Sequence, residues 1–240
     1  MDQPGYVVLS RLSAQLRVTQ VLANNLANAD TPGYRAERPV FTSFITRAPG
    51  QGEIAYSLDR ANWRDTQPGA IGTTGNPLDV ALRGDGFFVL ETPNGERYTR
   101  AGRFTLDAAG RITDADGHAA LDTRGSPITL SRGDSRIEIQ GDGTVRSENG
   151  VVAQLRIVRF ANPQRLRAEG ARLFSAQESP EDVPKPQLVQ GAVEGSDVSA
   201  IGEMTRLTEQ VRQFQFATQF AEREGDRLST AGDRILRRRN

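Results

Sequence analysis

Met204-Thr205-Arg206-Leu207-Thr208-Glu209-Gln210-Val211-Arg212-Gln213-Phe214 sets an apolar side chain at every third or fourth position. The same steps continue through Thr218, Ala221, Gly225, Leu228, Gly232 and Ile235. Alternating steps of three and four average 3.5 residues, the period that keeps one seam of a helix turned toward a partner helix. The other end of the chain repeats the pattern, with Leu9, Leu12, Leu16, Thr19, Ala23 and Leu26 on one face. Matching stripes at the two ends predict helices built to find each other, which is the architecture of an assembly subunit. The C-terminal helix can be capped by Ser196, Asp197 or Ser199 and runs to about Leu236, a length of roughly 60 Å at 1.5 Å per residue. Its glycines at 202, 225 and 232 each weaken it by about 1 kcal/mol relative to Ala, and isolated helices are marginal. The ends are therefore expected to be loosely ordered in a free monomer and to order when subunits stack.

Inward from these stripes the periodicity changes. The first helix is expected over residues 7–29, where Asp30-Thr31-Pro32-Gly33 stops it by removing a backbone donor and supplying a residue that tolerates positive φ. Residues 34–77 mix Gly, Pro and Thr with isolated apolar anchors, a composition that suits extended connections, with room for one hairpin, better than helix. From residue 78 to about 160, short β-prone runs are bounded by Gly, Asn or Asp: 80–82, 87–90, 97–100, 104–106, 137–139 and 155–160. Pro93-Asn94-Gly95-Glu96 is the strongest hairpin signal, followed by Ala109-Gly110, Asp116-Gly117 and Gly141-Asp142-Gly143. No strict repeat is read among these turns. Residues 176–187 form a proline-rich connection. The reading is an α+β chain with long N- and C-terminal helices in a coiled-coil-like layer and a central antiparallel β domain. Its divisions are residues 1–33 (N-terminal helix), 34–77 (Gly/Pro-rich connection), 78–192 (β domain) and 193–240 (C-terminal helix).

Composition narrows the setting. A chain of 240 residues, 37% hydrophobic and 25% charged, can bury a core in one or two domains. Thirty bases balance thirty acids, so no net basic face offers itself to nucleic acid. Cysteine is absent, which removes disulfides and thiol chemistry. No apolar run of about 18 residues could span a bilayer as a helix. Arg11 and Arg17 interrupt the first twenty residues, which lack the apolar core of a cleavable signal peptide.

Catalytic chemistry has little to stand on. With His118 as the one histidine and no cysteine, neither a Cys-His nucleophile nor a His-rich metal site can form. Gly84-Asp85-Gly86 is followed by a strand, with Val89 where a dinucleotide fingerprint needs a small residue, so it reads as a turn. Asp114, Asp116 and Gly117 resemble a fragment of a calcium loop, yet Ala119 stands in place of the required Gly and no Glu closes the shell. The chain is read as no enzyme, with no catalytic residue, no metal, no cofactor and no small-molecule substrate.

Four separated segments, in order, resemble the flagellar axial proteins, the rod and hook subunits of the bacterial basal body. The first is Leu22-Ala23-Asn24-Asn25-Leu26-Ala27-Asn28-Ala29-Asp30-Thr31-Pro32-Gly33-Tyr34. That family's signature more commonly ends Asn-Thr-Thr-Gly-Phe; Asp30, Pro32 and Tyr34 depart from it but keep the helix stop and the aromatic anchor. The second and third are 74–82 with 84–88, and Tyr98-Thr99-Arg100-Ala101-Gly102-Arg103-Phe104. The fourth is Gln190-Gly191-Ala192-Val193-Glu194-Gly195-Ser196-Asp197-Val198, leading into Glu203. With 240 residues and one β domain, the chain resembles the proximal-rod subunit most.

The resemblance implies a structural subunit that assembles helically with copies of itself and other rod proteins, with distal-rod and inner-ring subunits as further candidate neighbours. It also implies passage through the flagellar export apparatus without signal cleavage, a periplasmic rod location, torque transmission to the hook and enclosure of the export channel. The assembly interface expected on the stripes is Leu9, Leu12, Leu16, Ala23, Leu26, Met204, Leu207, Val211, Phe214, Ala221, Leu228 and Ile235. The family motif is Asn24, Asn25, Leu26, Ala27, Asn28, Pro32, Gly33 and Tyr34. Two alternatives stand beside it: a distal-rod or hook-family subunit, and a secreted β-domain adhesin or coiled-coil scaffold.

Overall fold

The computed structural model describes residues 3–48, 52–131, 133–134, 136–170 and 172–237. The chain is α+β and divides into two units. The first is made of residues 1–27, 37–63 and 199–240. It holds helix α1 (Gln3–Ala27), strands β1 (Glu37–Ala48) and β2 (Gly52–Arg64), and helix α2 (Ala200–Arg237). Ser199 caps α2, its hydroxyl accepting from Gly202 N at 3.4 Å and its carbonyl from Glu203 N at 2.9 Å. Of the three cap candidates, Asp197 and Ser196 serve other bonds. α1 and α2 pack against each other, and α1 also packs on β1. Among the described residues, the long strands β1 and β2 pair with each other in a two-stranded sheet of their own. The one hairpin for which the 34–77 segment left room corresponds to this pair of strands, each longer than the isolated anchors suggested.

The second unit, residues 28–36 and 64–198, is built of short strands. In chain order they are β3 (Ile71–Thr73), β4 (Val80–Arg83), β5 (Phe87–Thr92), β6 (Gly95–Thr99), β7 (Thr105–Leu106), β8 (Ile112–Thr113), β9 (Ala119–Ala120) and β10 (Glu138–Ile139). Then come β11 (Thr144–Ser147), β12 (Gly150–Gln154), β13 (Ile157–Arg159), β14 (Arg167–Glu169), β15 (Leu173–Ser175), β16 (Glu181–Asp182), β17 (Gln187–Gln190) and β18 (Ala192–Glu194). The main sheet runs β14-β15-β6-β5-β9-β8-β7, with β13 on β5 and β16 on β13. β10-β11-β12, β17-β4 and β18-β3 form smaller antiparallel groups. The 176–187 connection contains β16 and is otherwise irregular.

β5 explains the core. Its run Phe87-Phe88-Val89-Leu90 is apolar at every position because alternate side chains enter different clusters. Phe88 and Leu90 join Leu82, Phe104, Ile112, Ile128, Val145, Leu155 and Ile157. Val89 and Phe87 join Tyr98, Val158, Phe160, Leu166 and Phe174. Edge-to-face contacts of Phe88 on Phe104 (5.4 Å) and Tyr98 on Phe160 (4.8 Å) anchor the two sides. The hairpin at Pro93-Asn94 closes β5 onto β6, with Thr92 opposite Gly95.

A turn repeat went unread in the sequence. Asp-x-x-Gly-x recurs at 107–111, 114–118 and 122–126. In each, the Asp Oδ1 accepts the N–H groups two and four residues on, at 2.8–2.9 Å. The Gly N–H closes the turn onto the Asp carbonyl. Three identical turn devices pace β7, β8 and β9, because an aspartate that binds its own following backbone replaces ladder bonds a short strand cannot supply.

Candidate assembly surface and its buried anchors

The stripe residues separate into two sets. On α2, Leu207, Phe214, Thr218 and Ala221 are half-buried on the face that packs on α1, joined by Gln210 and Ala217. Met204 and Val211 stand outside that face, 56% and 42% exposed. On α1, Leu12 and Leu26 are half-buried, while Leu9 and Leu16 are 61% and 51% exposed and Ala23 is exposed. Among the described side chains of α1, the buried ones are instead Gln15, Val21, Leu22 and Asn25. Leu228 and Ile235 continue α2, and their side chains lie outside those described. A 3.5-residue period locates an apolar sector but cannot say which part of it one partner covers. Here pairing within the chain covers one edge of each stripe.

Asn25, from the first family motif, anchors the first unit. It is fully buried, and its Oδ1 accepts from Glu37 N at 3.0 Å while its Nδ2 donates to Glu37 O at 2.9 Å. The amide thereby pairs with the first residue of β1 as a neighbouring strand would. Nδ2 also reaches Glu203 Oε2 at 3.3 Å. Glu203, 1% exposed, accepts from Arg38 Nη1 and Arg206 Nη1, both at 2.8 Å. The end of α1, the start of β1 and the start of α2 are thus held by one polar cluster.

The other motifs converge inside the second unit on Glu194, also 1% exposed. Its Oε2 takes Arg100 Nε at 2.8 Å and Nη2 at 2.6 Å. Its Oε1 takes Arg35 Nη2 at 3.0 Å and Gly69 N at 3.2 Å. Arg100, 2% exposed, sends its remaining N–H groups to Gly84 O (2.9 Å), Gly86 O (2.7 Å) and Leu82 O (3.3 Å). All five guanidinium donors are satisfied, the condition under which a buried arginine is tolerated. Burial pulls the Arg100 pKa below its ordinary value, and Glu194 works against that shift. The Gly84-Asp85-Gly86 turn therefore presents carbonyls to an arginine.

The same corner explains the motif glycines. Thr31-Pro32-Gly33-Tyr34 closes with Tyr34 N on Thr31 O at 3.2 Å, Gly33 having φ +70°, which is a type II turn. A Cβ on Gly33 would lie 2.5 Å from Ala101 N, and one on Gly102 would lie 1.7 Å from Val80 O. Gly33 N donates to Glu194 O at 2.9 Å, Gly191 N to Asp79 O at 2.8 Å, and Ala36 N to Asp197 Oδ1 at 2.7 Å. Tyr34 packs with Ala36 and Val198 in a small separate cluster. Segments far apart in sequence are thus one structural element. Arg100 and Glu194 lie inside the family motifs, but in sequence each reads as an isolated surface charge.

Asp114, Asp116 and His118 lie close enough to be compared with a metal site. Their oxygens are engaged otherwise: Asp114 Oδ1 by the turn, Asp114 Oδ2 by His118 Nδ1 at 3.0 Å, and Asp116 Oδ2 by Arg172 Nη2 at 2.6 Å. A cavity of about 550 Å³ is lined by Phe87, Phe160 and Phe174 together with Arg35 and Arg64, the Arg64 guanidinium lying 4.8 Å over the Phe174 ring. Its described lining contains no Ser, Cys or His.

Three family descriptions match the chain in register with this architecture. "Flagella basal body rod protein" matches residues 6–35, "Flagellar hook protein FlgE/F/G D1 domain" residues 81–147, and "Flagellar basal body rod FlgEFG protein C-terminal" residues 189–233. Flagellar basal-body rod protein FlgF of Mesorhizobium japonicum is 31% identical over 90% of this chain and 90% of its own length. FlgF of Rhizobium meliloti is 32% identical over 89% of each. Flagellar basal-body rod protein FlgG of Bacillus subtilis is 29% identical over 90% of this chain and 89% of its own. By these matches the chain belongs to the flagellar basal-body rod protein family, a family of structural proteins and not of enzymes.

Proposed function

We propose that the chain is a proximal-rod subunit that assembles helically with copies of itself and other rod proteins, encloses the export channel and transmits torque toward the hook. In this reading α1 and α2 form a coiled-coil inner layer and the β unit lies outside it. The subunit reaches the periplasm through the flagellar export apparatus with its N-terminus uncleaved. The observation that carries the reading is the exposed half of each stripe. Leu9, Leu16, Met204 and Val211 remain in water after α1 and α2 have packed together, and an exposed apolar row on a helix marks an interaction surface. A heterologous contact repeated by rotation and rise generates an open helical assembly.

The stripe itself supplies the test. A carboxylate placed on the half-buried face without a partner costs several kcal/mol. Phe214→Asp or Leu207→Asp, which break the α1–α2 pairing, and Met204→Asp with Val211→Asp, which acts on the exposed half alone, should each leave the β unit folded and the protein exported, yet yield non-motile cells without hooks. Gln213→Asp, off that face, should swim. Normal swimming of cells carrying Met204→Asp with Val211→Asp, with the variant at wild-type level in purified basal bodies, would remove the exposed stripe as an assembly surface.

A further inference from the structure

We propose that Asn94 is a self-modification site, at which the backbone nitrogen of Gly95 converts the asparagine amide into a carboxylate with water as the only co-reactant. The inference does not depend on the rod-subunit reading. Asn-Gly occurs twice in the chain, at Asn94-Gly95 and Asn149-Gly150, and both asparagines are exposed at hairpin tips. Glycine has no Cβ to shield its nitrogen, so this dipeptide gives that nitrogen its freest approach to the asparagine Cγ.

The two tips are built alike, which makes their difference informative. Thr92 stands opposite Gly95, and Ser147 opposite Gly150. Asn94 N donates to Thr92 Oγ1 at 3.3 Å, and Asn149 N to Ser147 Oγ at 3.2 Å. Both glycines have positive φ, +93° and +129°. The side chains differ. Asn149 Nδ2 donates to Asp134 Oδ1 at 2.7 Å, which ties down the amide that has to leave. Among the described residues the Asn94 side chain makes no hydrogen bond, so its Cγ is free to turn toward Gly95 N.

The peptide group under attack differs as well. The attacking form of Gly95 N is the deprotonated amide, whose negative charge is shared with Asn94 O. Arg97 Nη1 donates to that oxygen at 2.9 Å, and Arg97 Nε is held by Glu169 Oε2 at 2.7 Å. A fixed guanidinium aimed at the atom where charge develops favours formation of the nucleophile.

The atoms balance. Gly95 N bonds to Asn94 Cγ, the Cγ–Nδ2 bond breaks, and Nδ2 leaves as ammonia with the proton lost from Gly95 N. Water then opens the cyclic imide. Opening at Cγ gives aspartate; opening at the main-chain carbonyl carbon gives isoaspartate, with an extra carbon in the backbone. Either product puts a new carboxylate at the hairpin where Glu91 and Glu96 already face each other across β5 and β6. Like charges so placed weaken a strand pair.

The test incubates the purified full chain at mildly alkaline pH and maps its peptides by mass spectrometry, which reads both sites in one sample. Asn94 should convert about tenfold faster than Asn149. In guanidinium chloride, where neither tip persists, the two rates should become alike. Equal rates in the folded chain would overturn the proposal. So would a difference that survives unfolding, since it would then belong to the neighbouring sequence and not to the folded site. Two variants separate the causes. Arg97→Gln, which keeps a donor but removes the charge, should slow Asn94 about threefold and leave Asn149 unchanged; with the melting temperature unaltered, an unchanged or faster Asn94 overturns the proposal. If Arg97→Gln lowers the melting temperature, Asp134→Ala decides instead. It frees the Asn149 amide and should speed that site about threefold with Asn94 unchanged, and no acceleration overturns the proposal.

Discussion

Replacing Glu194 by Ala isolates the anchor on which the family motifs converge. The substitution removes the acceptor of Arg100 Nε and Nη2, of Arg35 Nη2 and of Gly69 N at once. Arg100, 2% exposed, is left as a buried cation whose carbonyl partners at Leu82, Gly84 and Gly86 cannot neutralise it. Breaking one partner of such a pair costs about 3–5 kcal/mol, a large share of the roughly 5–15 kcal/mol that holds a domain folded. For a unit of this size, 1 kcal/mol moves the melting temperature by about 2–4 °C, so Glu194→Ala should lower it by roughly 10–15 °C. Thermal unfolding of the purified chain, followed by near-UV circular dichroism, reads this directly. Arg100→Met with Glu194→Met should recover part of the loss, since the most deeply buried charge is then gone and only Arg35 loses its carboxylate. It should not recover all of it, because Arg100 also serves three backbone carbonyls. A shift below about 3 °C for Glu194→Ala, equivalent to roughly 1 kcal/mol, would refute the assignment of Glu194 as the anchor.

Two further outcomes follow from the same geometry. Asn25→Ala strands Glu37 N and O and removes a donor from buried Glu203, and should destabilise the first unit by about 1–3 kcal/mol, seen as faster amide exchange at Glu37 with exchange in β5 unchanged. Acid stability tests the Asp turns: burial pushes Asp122 up, but the Ser126 and Arg124 donors win and hold it below the ordinary aspartate value. Its contribution is therefore present above the unfolded pKa of about 3.9 and is lost as pH falls through the lower folded value; Asp122→Asn should flatten the fall of the melting midpoint below about pH 4, and an unchanged acid limb would contradict the turn assignment.

What could be read from sequence was what local chemistry dictates. The hairpin at Pro93-Asn94 and the Asp/Gly turns follow from the residues that bend there, and the terminal helices from a 3.5-residue period. The β1–β2 pair was legible only as one hairpin inside a connection, and its length was not, because its Phe, Ile, Tyr and Leu positions are spaced among charged and polar residues. Glu194 and Arg100 were hidden for a different reason. A buried ion pair is indistinguishable from surface charge until residues 94 positions apart are brought together. The stripes were legible as stripes, but their division into a face on α1 and edges in water depends on how deeply the two helices interlock, which periodicity does not record.

The account stands or falls on where the chain sits in the assembled organelle. A density map of purified basal bodies, with the chain located by its own side chains, measures this. The account predicts the chain in the proximal rod, α1 and α2 in the inner layer around the channel, and the β unit outside them. Finding the chain absent from the rod, or its helices outside and its β unit facing the channel, would contradict it.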